Sequence, residues 1–157
     1  MKVKQSIKLA LTGIAAKGMA VGRTSSGVVV FVKDAVPGDI AMVYLYKKRK
    51  SYFEGRLEKL ISPSPDRMSA KCSHFGICGG CQWQHLSYSS QLEHKQEEVH
   101  QNFVKIGSFD FPKIKKIIPS KSQFNYRNKM EYSFSNSRWL TKAEIESREI
   151  INRNALG

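Results

Sequence analysis

The stretch GVVVFVKDAVPGDIAMVYLYKKRKSYFEGRLEKLI, residues 27–61, decides how this chain folds. Its first part, GVVVFVKD, concentrates β-branched residues, and IAMVYLYKKRKSYFEGRLEKLI holds two more strand candidates. AVPGD separates them. Pro37 presets φ and Gly38 supplies a positive φ, so the spacing predicts a type II turn. Upstream, SIKLALTGIA places Ile7, Leu9 and Leu11 on one side of a strand, with polar or small residues between them. Gly13, Gly18, Gly22 and Gly27 punctuate the segment as the corners of a small barrel require. Four or five short strands in about 60 residues predict a closed barrel of the OB type over residues 1–61.

Beyond it the texture changes. SPSPDR, residues 62–67, has the composition of a linker. A helix is expected after the next loop, with Ser90 and Glu93 as a capping box, Leu92, Val99, Phe103 and Ile106 on one face, and Gly107 as terminator. KIKKIIPS reads as a short strand, and YRNKMEYSFS, residues 126–135, as another by its alternation. Thr141 and Glu144 fit the start of a last short helix. The expected fold class is therefore mainly β, then α+β.

Lys and Arg number 26 against 13 Asp and Glu, giving 157 residues a formal charge of +13. Such repulsion is tolerated most easily beside an anion, and nucleic acid is the first candidate. No apolar run approaches the roughly 20 residues of a membrane helix. The N-terminal stretch is punctuated by Lys8 and Lys17, so it reads as a strand rather than a signal peptide, and the protein as cytoplasmic.

All three cysteines, Cys72, Cys78 and Cys81, lie in KCSHFGICGGCQWQHL, residues 71–86. An odd number argues against a closed disulfide framework. The C-x5-C-G-G-C spacing lets one loop wrap one metal centre, and Gly79 and Gly80 permit positive φ and close backbone approach to sulfur. Buried cysteines acting as small hydrophobes have no need of a double glycine. Spacing alone does not separate an iron–sulfur cluster from a structural zinc completed by His74 or His85.

Resemblance separates them. The pattern C-x5-CGGCQWQHL-x-Y-x2-QL-x2-K resembles the iron–sulfur loop of the RNA 5-methyluridine (uracil-C5) methyltransferases, and is most similar to the bacterial 23S ribosomal RNA enzymes. AxxGMAVGR, GVVVFVKDAVPGD and KKRKSYFEGRLEKLI resemble the TRAM domain that precedes that loop, and FNYRNKMEYSFSNSRWL resembles the segment that follows. The resemblance implies a 4Fe-4S cluster held by Cys72, Cys78 and Cys81, with a fourth ligand beyond Gly157. It implies a TRAM barrel at 1–61 and a truncated cluster-bearing central domain at 62–157. S-adenosylmethionine would then be bound by a later domain that also supplies the nucleophile and base, leaving this chain inactive alone. The parent is expected to be a monomer acting on 23S rRNA, with transfer RNA the alternative within the class. A non-enzymatic RNA-binding module with a Cys3His zinc site is the alternative outside it.

Lys47, Lys48, Arg49 and Lys50, interleaved with Tyr44, Tyr46, Tyr52 and Phe53, are the candidate RNA contacts. Arg127 and Lys129 project from one side of their segment. The resemblance places the arginine near the active site, in a supporting role. Gln82, Trp83 and Gln84 are expected to pack the cluster loop, and His74 and His85 to hydrogen-bond within it.

Overall fold

A computed structural model describes residues 3–108, 112, 114–129, 131, 135, 137–138, 140–147 and 149–152. Five strands form first: β1 Gln5–Ala15, β2 Met19–Arg23, β3 Val29–Lys33, β4 Ile40–Lys48 and β5 Tyr52–Ser62. They close into a barrel in the order β1-β2-β3-β5-β4. Every pairing is antiparallel except β3 with β5. This is the small OB-like barrel that the alternation predicts.

The alternation also explains which way each side chain points. Leu9 and Leu11 of β1, Val30 and Val32 of β3, Ala41, Val43 and Leu45 of β4 and Phe53 of β5 fill the interior. Their neighbours in sequence face outward, because successive residues of a strand take opposite faces. The β3–β4 connection is the expected type II turn: Asp39 N–H donates to Val36 O at 3.2 Å, and Gly38 has φ +88°.

The segment read as a linker is docked. Asp39 is fully buried. Its carboxylate accepts from Val36 N–H at 2.9 Å, from Ser64 N–H at 3.0 Å, and from Arg67 Nη2 at 2.6 Å and Nε at 3.0 Å. Burial alone would raise the Asp39 pKa; the bonds from Arg67, Val36 and Ser64 outweigh it and hold the group below its ordinary value. Composition marked SPSPDR as loop-like, but a buried carboxylate needs several donors, and this segment supplies them.

The helix α1, Tyr88–Lys105, begins one turn earlier than the sequence suggests. Ser87 is the cap, accepting from Ser90 N–H at 3.3 Å, while Ser90 itself is buried. Gly107 N–H donates to Asn102 O at 3.1 Å, closing the helix where expected. Val99, Phe103 and Ile106 lie exposed along it.

The chain divides into two compact units: residues 1–73 with 82–117, and residues 74–81 with 118–157. In the second, α2 Lys142–Ser147 carries the predicted reciprocal cap: Thr141 N–H to Glu144 Oε2 at 2.7 Å, and Glu144 N–H to Thr141 Oγ1 at 3.2 Å. Those bonds and Arg138 lower the Glu144 pKa to about 2, Arg138 contributing most. The described residues of 114–120 and 126–129 form no strand, contrary to expectation. Alternation specifies a face, but a strand also needs a hydrogen-bonded neighbour, and none pairs there among the described residues. Met130 and residues 132–134, which carry the rest of that pattern, lie outside the described residues.

Candidate functional site: the cysteine loop and the barrel surface

The loop is closed at its base by ordinary backbone chemistry. Ser87 N–H donates to Asp66 O at 2.9 Å and Met68 N–H to His85 O at 3.0 Å, and Arg67 and Leu86 form an antiparallel bridge. Cys72 N–H then donates to Gln84 Oε1 at 3.1 Å. Arg67, one rung of this stem, is also the partner of buried Asp39. The stem is thereby pinned to the barrel.

Trp83 supplies a second pin. An ideal Cβ built on Gly18 would lie 2.5 Å from Trp83 Nε1 and 2.8 Å from Gln82 Cβ. Gly18 has φ +70°, so glycine is required there both for conformation and for space. The Trp83 carbonyl accepts from Gln91 Nε2 at 3.0 Å, and Lys95 Nζ stands 5.7 Å from the ring centre. Trp83 and Gln82 thus pack on the barrel, while the Trp83 carbonyl, which also accepts from Leu86 N–H at 3.0 Å, and the Gln84 side chain bond the loop base.

The three cysteines are free and exposed. His74 O accepts from Ile77 and Cys78 N–H groups at 3.1 and 3.2 Å, making a tight turn before the second cysteine. Gly79 has φ +72° with open space around its Cα, so conformation, not crowding, calls for glycine there. Gly80 differs from expectation: it lies outside the left-handed region, and a Cβ would make ordinary contacts, 3.7 Å from Cys78 Sγ and 3.8 Å from Arg127 Nη1. Arg127 is therefore a neighbour of the cysteine loop. Its Nε donates to Lys129 O at 3.0 Å, and both residues are exposed. Among the described residues no three Cys, His, Asp or Glu side chains are already gathered as a metal site.

Of the two histidines weighed as zinc ligands, His85 is buried. Burial first, and the nearby Arg67 charge second, lower its pKa. His74 is exposed on the loop.

On the barrel, Lys47, Lys48, Arg49 and Lys50 are all exposed, at the end of β4 and in the turn to β5. Arg49 is tied to Glu54 at 3.0 Å, and Lys48 Nζ stands 5.9 Å from the Phe53 ring centre. Phe53 is core, but Tyr44, Tyr46 and Tyr52 are outward by strand parity.

The chain is 40% identical over 136 residues to an uncharacterized RNA methyltransferase of Porphyromonas gingivalis, a match covering 87% of this chain and 29% of the relative. Against proteins of the same description from Bacteroides thetaiotaomicron and Chlorobaculum tepidum, identity is 41% and 37% over 145 residues, covering 92% of this chain and 32% and 30% of the relatives. The chain is homologous to RNA methyltransferases. It spans about 30% of the length of these curated relatives. No family model matches it.

The barrel surface thus presents exposed cations beside tyrosines, and the loop presents three exposed thiols. Sequence reading found the cations and the cysteines by residue type. It missed Asp39, Arg67 and Gly18, which hold the loop stem, because their partners lie far away in sequence. A weak signal was present: an aspartate directly after a Pro-Gly turn, with an arginine in the next polar segment.

Proposed function

We propose that this chain is the RNA-gripping and cluster-bearing portion of an S-adenosylmethionine-dependent methyltransferase that makes 5-methyluridine in 23S ribosomal RNA. The observation that carries the reading is a Cys-rich CGGC loop whose stem is pinned to an OB-like barrel with a basic, aromatic outer surface, in a chain homologous to RNA methyltransferases. The barrel, residues 1–61, holds RNA through Lys47, Lys48, Arg49 and Lys50. Residues 62–157 carry the loop, with Arg127 and Lys129 beside it contributing to RNA contact.

The donor set fits a cluster. Three exposed thiols are soft ligands, and the loop has left-handed glycines at Gly76 and Gly79 with open space around both. Cys72, Cys78 and Cys81 would hold a 4Fe-4S group, completed by a ligand from outside these residues. When bound, it would cross-link the loop through thiolate bonds. In a Cys3His zinc site His74, exposed on the loop, would be the fourth ligand to weigh, since His85 is buried.

Nothing described here fits S-adenosylmethionine. Such a site uses a strand, a glycine-rich turn and a helix in a parallel sheet. The one parallel pairing among the described residues, β3 with β5, lies within the barrel. In this reading the methyl donor and the thiolate that adds to uracil C6 belong to another part of the protein, because the three cysteines here are loop ligands. The setting is cytoplasmic.

The test is to isolate the whole protein without oxygen, measure iron and acid-labile sulfide, and assay methyl transfer to ribosomal and transfer RNA transcripts. Iron with sulfide, and 5-methyluridine in 23S RNA, are expected. Stoichiometric zinc without sulfide would sink the cluster assignment. Methylation confined to transfer RNA would move the substrate within the class.

A further inference from the structure

The four cations of the β4–β5 turn account for charge but not for any preference among RNA forms. A second feature of the barrel bears on that. On the outer surface, β5 pairs with β3 on one side and β4 on the other, so outward residues of three strands form continuous rows. Lys33 stands opposite Arg56, and Arg56 opposite Tyr44. The Arg56 guanidinium carbon lies 5.3 Å from the Tyr44 ring centre. One row along, Phe31 meets Tyr52 edge-to-face, centroids 4.9 Å apart at 83°. Phe31, Tyr44 and Tyr52 are half-buried, and Tyr46 is exposed.

Outward aromatics on a sheet face give up much of the burial that aromatics normally contribute. Here they are interleaved with Lys33 and Arg56, both exposed, on a chain of charge +13. Glu54 lies in the same rows, opposite Phe31, but its carboxylate is engaged by Arg49 at 3.0 Å. An anion with flat, apolar faces complements this surface. A nucleic-acid strand with unpaired bases offers both, whereas a duplex hides its base faces in its own stack.

We propose that the outer face of β3, β4 and β5 is a stacking platform for single-stranded RNA, with bases on Phe31, Tyr44, Tyr46 and Tyr52 and phosphates on Lys33 and Arg56. This rests on the reading of the barrel as RNA-binding and deepens it: the platform selects unpaired RNA, while the β4–β5 turn supplies sequence-blind charge. Arg56, its guanidinium carbon 5.3 Å from the Tyr44 ring centre, sets a planar cation beside a ring, so one site can meet a base and its phosphate together.

The test uses the 157-residue chain, a labelled unpaired oligoribonucleotide and a duplex of the same composition, with anisotropy titrations over a salt series. Wild type is expected to prefer the unpaired strand. Tyr44→Leu and Tyr46→Leu keep apolar bulk but remove the ring; each should weaken single-strand binding about tenfold, leave duplex binding unchanged, and leave the salt slope unchanged. Lys33→Gln with Arg56→Gln should instead flatten the slope for both RNAs. Circular dichroism of each variant guards against a packing artefact. If wild type prefers duplex, or the ring variants lose both RNAs equally or neither, the platform is overturned while the barrel remains an RNA binder. If wild type binds no RNA, the underlying reading fails too.

Discussion

The barrel and the cysteine loop sit next to each other in sequence and are ordered by different means. In the barrel, ten buried apolar side chains form one core, and each strand is hydrogen-bonded on both sides. In the loop, Cys72, Cys78 and Cys81 are exposed, and what is fixed is the stem. The barrel's conformation follows from its own burial; the loop has a rigid base and a tip whose chemistry is directed outward. The comparison also locates the join, which is a charge pair and a ring on a glycine: Asp39 with Arg67, and Trp83 on Gly18.

The strongest way to break the comparison is Asp39→Ala. It strips the acceptor from Val36, Ser64 and Arg67 and leaves a partly buried guanidinium unpaired, at a cost of about 3–5 kcal/mol. Urea unfolding of the chain followed by circular dichroism measures it; a loss under about 1 kcal/mol would mean that the pair is not what holds the stem. Gly18→Ala comes next. A left-handed alanine against the Trp83 indole should cost about 1–3 kcal/mol and alter the tryptophan emission, since the ring must move. Unchanged emission with unchanged stability would show that Trp83 seats elsewhere.

Arg127→Ala in the whole enzyme tests the loop side. Methyl transfer should slow about tenfold, roughly 1.4 kcal/mol, with less effect on RNA affinity. The reverse pattern would make Arg127 a phosphate contact. Acidification should act on the barrel side in two stages. His85 has a lowered pKa in the fold, so its contribution is complete above its unfolded value near 6.5 and is lost as pH falls through the folded one. Asp39, also lowered, contributes fully above about 3.9 and loses that contribution at still lower pH. Thermal melts of wild type and His85→Gln should converge as the pH drops below about 6, and parallel curves would contradict the first stage. The smallest effect is expected at the loop. Without metal, Cys78→Ser should shift chain stability by less than about 0.5 kcal/mol, because the thiol is exposed. In the intact iron-loaded protein, the same change should remove the visible absorbance of the cluster.

The barrel was legible because burial and sequence share a period. Leu9, Leu11, Val30, Val32, Val43 and Leu45 alternate with outward residues, and Pro37–Gly38 announces its turn. The Thr141–Glu144 cap was legible for the same reason: both partners lie within one helical turn. What depends on distant partners was not. Asp39 reaches 28 positions along the chain to Arg67, and nothing local marks that pairing. The outward set of Tyr44, Tyr46 and Tyr52 could not be told from core aromatics until the parity of β4 and β5 was fixed by Val43, Leu45 and Phe53. YRNKMEYSFS shows the converse error at its described residues, where a clean period found no partner strand. Among the candidate site residues, the cysteines and the cations stand out by type, and the residues that support them do not.

The parallel pairing of β3 with β5 sets the order of events when the chain folds. β5 is the last strand made, yet it is the neighbour of both β3 and β4, and β4 must also reach back to β1 across some 30 residues. β3 and β4 each lack one neighbour until β5, which ends at Ser62, has been synthesised. Until then β3 and β4 expose ladder edges beside strongly apolar stretches, the condition under which chains pair with one another instead of with themselves. Closure therefore belongs to the slow, non-local class of folding reactions, about milliseconds to seconds rather than microseconds. The three lysines and one arginine clustered in the β4–β5 turn then have work to do during folding: like charges on neighbouring nascent chains keep those open edges apart while the ring is still incomplete.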